Sequence, residues 1–203
     1  MNASIHRGLG LFGTILGSIL LVSAAPASAP KPDACRSLLP RLVRELVEKK
    51  YPHARLVSVD DYSDEDVKSF REQKQPCPGA AIADANGDGR KDYGFLALTQ
   101  RHVLVLVALS QPGGSWQIEL LTDWGNEGVG GVFSPNIYVS ETPAGRYRDM
   151  FTEEHAPSEY VPVPGRAKEF RARWPGFVTG GIESSGVAYF FDGHRWVHLW
   201  ISD

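Results

Sequence analysis

Apolar residues recur at Leu38, Leu39, Leu42, Val43, Leu46 and Val47, with Arg41, Arg44, Glu45, Lys49 and Lys50 between them. Spacings of three and four place the apolar set on one face of a helix, here over about 36–50. Pro40 suits a first turn better than a helix interior, so the start is blurred. Two lysines favour the C-terminus, and Pro52 stops the helix. Arg55 to Val59 reads as a short strand. Ser63-Asp64-Glu65-Asp66 has the character of a capping box, opening a short helix that carries Val67 and Phe70.

From Ala80 onward the period changes to that of strands and turns. Strands are expected at Ala80 to Ala83, Tyr93 to Thr99, His102 to Leu109 and Trp116 to Leu121, with turns at Gln100-Arg101 and Gln111 to Ser115. The unbroken run Val103 to Val107 predicts a central strand covered on both faces. Near the C-terminus, Val187 to Phe191 and Arg195 to Ile201 flank Asp192-Gly193, a pair that supplies the positive φ of a tight hairpin. Residues 123–175 are rich in Gly, Pro and polar side chains, with strand candidates near Ile137 to Val139 and Tyr160 to Val163. No fixed-period repeat is present. The expectation is a mainly β, α+β domain with an N-terminal helix. Its strands form an antiparallel meander, propeller-blade-like or sandwich-like, and not a full propeller.

The N-terminus changes the picture of where this domain works. Arg7, an apolar run from Leu9 to Val22 and the small residues Ala27-Ser28-Ala29 have the organisation of a secretory signal peptide over 1–29. The run is too short for a bilayer that needs ~20 apolar residues, so no stable membrane insertion is expected. Residues 30–203 are then one β-rich domain in the periplasm or outside the cell. In such an oxidising compartment the two cysteines, Cys35 and Cys77, are expected to form a disulfide. The chain carries a net charge of −3, made more negative once Arg7 is removed. No basic stripe is visible along the sequence, so nucleic acid and an anionic membrane surface are set aside as partners.

The strongest chemical signal is Asp84-Ala85-Asn86-Gly87-Asp88-Gly89-Arg90-Lys91-Asp92. Calcium takes six to eight oxygens at ~2.3–2.6 Å. Oxygen-bearing side chains on alternating residues of a coiled loop can all point inward, and here those are Asp84, Asn86 and Asp88. Gly89 permits the reversal, Arg90 offers its backbone carbonyl, and Asp92 closes the site. An EF-hand needs a bidentate Glu at the twelfth loop position. Counting from Asp84, that position is Phe95, and strands rather than helices flank the loop. The pattern resembles the strand–loop–strand calcium unit of FG-GAP (integrin β-propeller-like) and related VCBS-like modules. That resemblance implies Ca2+ as the cofactor and Asp84, Asn86, Asp88 and Asp92 as ligand side chains. It covers a short stretch, and a single copy cannot make a propeller.

No Gly-x-Ser-x-Gly elbow, His-Glu-x-x-His pair or phosphate loop is present. Glu153, Glu154 and His155 are consecutive and do not face one point, and His194 and His198 flank Trp196 in an expected strand. Asp123-Trp124-Gly125-Asn126-Glu127-Gly128 sets a large aromatic among hydrogen-bonding residues, the composition of a recognition loop. Ser185-Gly186-Val187-Ala188-Tyr189 resembles the Ser-Gly-x-x-Tyr motif of periplasmic inhibitors of animal-type lysozymes, which implies a partner contact through Ser185 and Tyr189. A signal peptide, a small β-domain and one such calcium loop are also similar to periplasmic immunity proteins paired with lysozyme-like toxins of type IV secretion. Together these point to a non-enzymatic, calcium-binding domain whose partner is a cell-wall hydrolase or toxin. Trp124, Asn126, Glu127, Ser185 and Tyr189 are the candidate contacts. A structural protein of the cell envelope and a hydrolase with an unrecognised active site are the alternatives.

Overall fold

The computed structural model describes residues 33–100, 102–125, 136–151, 167–182 and 186–201. The expected signal peptide, Asn126, Glu127, Ser185, the strand near Tyr160 and the Glu153–His155 trio lie outside them. Where one helix was expected, two form: α1 (Ala34–Leu38) and α2 (Arg41–Lys50). The break falls at Leu39, which is extended at φ −86° and ψ 133°. The ring of Pro40 crowds any α conformation in the residue before it. Asp33 caps α1 by accepting the Arg36 N–H at 2.7 Å. Ser63 caps α3 (Asp64–Glu72), accepting the Asp66 N–H at 3.1 Å, and α3 buries Val67 and Phe70.

Cys35 of α1 is bonded to Cys77, 42 positions along the chain. The bridge ties the first helix to the segment entering β2, and closing a loop of that size is worth ~3–4 kcal/mol on the loop-entropy model.

The first sheet contains β1 (Arg55–Leu56), β2 (Ala80–Ala83), β3 (Asp92–Leu98), β4 (His102–Ser110) and β5 (Trp116–Gly125). Its order is β1-β3-β4-β5, and β2 pairs with the other stretch of β3, all antiparallel. β1 is shorter than expected because the chain turns into a 3-10 segment at Val59–Asp61. Val105, Leu106 and Val107 of β4 are all 0% exposed. Successive strand residues point to opposite faces, so β4 is covered on both, as its unbroken apolar run predicted.

The second sheet has the order β11-β10-β9-β6, formed by β6 (Ile137–Thr142), β9 (Gly176–Gly181), β10 (Gly186–Phe191) and β11 (Trp196–Ile201). It packs on the first where Gly94 leaves room for Phe177: a Cβ there would stand 2.6 Å from the ring. Trp196 adds a polar link, its Nε1 donating to Glu119 Oε2 at 3.0 Å. At the other end the Val139 N–H bonds the Pro78 carbonyl. Gln75 donates to the Val139 carbonyl and accepts from the Ser140 hydroxyl. The β10–β11 hairpin turns through Asp192 to Arg195, with Gly193 at φ 103° and Asp192 Oδ1 accepting the N–H groups of His194 and Arg195.

A third, two-stranded ribbon joins β7 (Gly145–Arg148) to β8 (Glu169–Ala172). Neither strand was anticipated. Tyr147 and Phe170 pack on Phe190, with ring centroids 4.6 and 5.8 Å away. Arg146, Arg148 and Arg171 therefore face outward and are exposed. The sequence showed no basic stripe, because these residues meet only through strand pairing. Among the described residues no helix is long and apolar enough to cross a membrane.

Candidate metal loop

The Asp84–Asp92 loop leaves β2 at Ala83 and enters β3 at Asp92. Gly87 and Gly89 adopt left-handed conformations, at φ 72° and 79°, which glycine reaches without steric cost. Backbone N–H groups turn inward between them. Asp84 accepts from Asp88 at 3.0 Å through Oδ1 and from Gly89 at 2.9 Å through Oδ2. Asn86 Oδ1 also accepts the Asp88 N–H, and its Nδ2 donates to Asp88 Oδ2 at 2.9 Å. Asp88 Oδ1 takes the Arg90 N–H at 2.9 Å, and its Oδ2 holds the Arg90 guanidinium. That guanidinium also reaches Ser110 on β4.

Asp92 lies at the root of the loop and is 0% exposed. Its carboxylate accepts the Ala85 N–H at 2.9 Å and the Ser110 N–H at 2.8 Å, joining the start of the loop to the end of β4. Burial pushes its carboxyl above the ordinary range and the charge of Asp88 adds to this, while the two N–H bonds pull the other way.

The structure thus gathers Asp84, Asn86, Asp88 and Arg90 in one turn and sets Asp92 beneath it. The donors suit a hard cation in kind, being carboxylate and amide oxygens. In arrangement they are turned toward N–H groups and Arg90. Among the described residues no three His, Cys, Asp or Glu side chains are grouped to hold a metal. Of the expected ligands, Asp88 is already occupied by Arg90.

One neighbour of the loop was missed by sequence reasoning. The indole of Trp174, just before β9, lies on Gly87, where an added Cβ would stand 1.7 Å from Trp174 Nε1. Arg173 stacks on the same indole at 4.9 Å. Nothing local to the loop signals a partner so far along the chain.

The candidate contact residues fall differently. Asp123 and Trp124 belong to β5 rather than to a loop. Asp123 pairs with His102 at 2.9 Å. Trp124 is half-buried and meets Trp200 edge to face at 6.2 Å, with its Nε1 buried and without an acceptor among the described residues. Tyr189 needs correction as a partner contact. It is 5% exposed inside β10, opposite His198, with its phenol bonded to Thr122 and pushed up by burial. A side chain enclosed between strands cannot enter a partner's cleft.

Comparison with protein families, with curated proteins and with solved structures gives no match to this chain. A functional reading therefore stands on the residues themselves.

Proposed function

We propose that the chain is an exported, non-enzymatic domain that takes calcium in the loop at 84–92 and binds a protein partner. In its most specific form it is an inhibitor or immunity protein against a lysozyme-like peptidoglycan hydrolase. The observation that supports it most is the anchoring of the loop. Asp92 ties the loop to β4, and Trp174 lies on Gly87 from the segment ahead of β9. A loop held from both sides is a rigid base for a binding surface, and rigidity lowers the ordering cost of association.

Bound calcium would supply the positive charge that offsets three neighbouring carboxylates. The residues to hold it are Asp84, Asn86, Asp88, Asp92 and the carbonyl of Arg90, and the Arg90 side chain has to leave Asp88. Tyr189 takes no part in partner contact.

Peptidoglycan clearing by a panel of lysozyme-like hydrolases tests the reading. Inhibition of one of them at equimolar protein in calcium, weakened by Asp84→Asn with Asp88→Asn, is the expected result. Unimpeded clearing across the panel contradicts the hydrolase form.

A further inference from the structure

Arg146 of β7 and Arg171 of β8 are direct cross-strand partners, about 5 Å apart at Cα. Like charges placed opposite one another weaken a strand pair. Neither arginine has an ion-pair partner among the described residues. Packing does not account for them either, because Tyr147 and Phe170 fill the inward face of the ribbon. Next along the same face Arg148 is neutralised by Glu169 at 2.6 Å. Beyond Arg171, the guanidinium of the exposed Arg173 lies over Trp174, 4.9 Å from the ring centroid.

We infer that the outward face of the β7–β8 ribbon is a docking surface for a carboxylate-rich segment of a protein, with Arg146 and Arg171 as its paired anchors. A guanidinium presents parallel N–H donors that match a carboxylate in bidentate fashion. Two of them at cross-strand spacing suit acidic side chains at fixed positions. A diffuse anionic surface is a poorer match. Each basic residue adds only about 1 kcal/mol at a lipid surface, Glu169 sits on the same face, and the whole chain is net −3. An acidic protein with a local basic face also orients its partner during encounter. The inference extends the partner-binding reading to one face, and its test uses neither calcium nor a hydrolase, so either can fail alone.

The probe is a labelled oligo-glutamate peptide, titrated by fluorescence anisotropy at ionic strengths of about 0.02 and 0.15 M. The expected result is salt-sensitive binding that Arg146→Gln with Arg171→Gln weakens by about tenfold or more. Arg146→Lys with Arg171→Lys keeps the charge and recovers only part of the affinity. A control removing equal charge from the helices, Arg41→Gln with Lys68→Gln, leaves it unchanged. The ribbon double variant also melts no lower than the parent, as relief of opposed charges requires. No binding of the peptide, an equal loss in the helix control, or binding of phosphatidylglycerol vesicles in place of the peptide overturns the inference.

Discussion

Gly87 and Gly89 both sit at positive φ, yet their surroundings differ. Among the described residues nothing lies within 4 Å of a Cβ at Gly89, whereas one at Gly87 would enter the indole of Trp174. Gly89→Ala therefore meets only the left-handed backbone penalty, about 1–2 kcal/mol. Gly87→Ala adds an overpacking cost of about 1–3 kcal/mol and moves Trp174 toward solvent. Urea unfolding should rank Gly87→Ala clearly below Gly89→Ala, with a red shift of tryptophan emission in the former alone. Equal losses would mean that the indole does not rest on the loop. The contrast also marks the limit of sequence reading at this scale. Gly89 was expected as a turn residue from its motif, but Gly87's second role depends on Trp174, which no local pattern connects to it.

At the scale of elements, what was legible followed local pattern. The apolar run of β4, the Ser63 cap of α3 and the cysteine pair each carry their own signal within a few residues or in the cysteine count. β7 and β8 did not, because each has four residues with few facing inward, and their partners lie more than twenty positions apart. The same non-locality hid the arginine face. The turn after β1 shows how a short element is held instead. Asp61 accepts from both terminal guanidinium nitrogens of Arg55 at 2.6 Å and from the Ser58 N–H at 2.7 Å. Burial pushes the Asp61 carboxyl up, but Arg55 and the Ser58 N–H outweigh it and hold it below the usual 3.8. Asp33 is likewise raised by burial, and lowered overall by the Arg36 N–H, the Ser58 hydroxyl and the Val59 N–H. With folded-state values below those of the unfolded chain, the unfolded chain takes up protons first as pH falls. Their stabilisation is full well above pH 3.8 and is lost as pH drops through the folded values. Because Arg55 is more than half exposed, Asp61→Asn should cost only about 1–2 kcal/mol at pH 7. It should also flatten the loss of stability below pH 4. Urea unfolding at pH 7 and pH 3 checks both, and an unchanged acid slope would remove Asp61 from the account.

For the whole molecule, the class of fold was readable and its assembly was not. Alternating and continuous apolar runs predicted antiparallel sheets behind an N-terminal helix. How the two larger sheets meet depends on Gly94 admitting Phe177 and on Trp196 reaching Glu119, contacts between residues distant in sequence. The Asp84–Asp92 loop was legible as a motif because its residue types repeat at every second position. Its present hydrogen-bonding, with Arg90 on Asp88 and Asp92 between Ala85 and Ser110, follows from tertiary structure. Tyr189 of the Ser185–Tyr189 likeness belongs to a covered strand, and a five-residue match says nothing of burial. Calcium in this loop is what the proposed binding role requires. Calorimetric titration of calcium into the chelator-treated protein tests it most directly. Saturable heat near one equivalent, abolished by Asp84→Asn with Asp88→Asn and strengthened by Arg90→Ala, is the predicted result. Absence of heat in the parent and in Arg90→Ala alike, with the same melting temperature in calcium and in chelator, would contradict it.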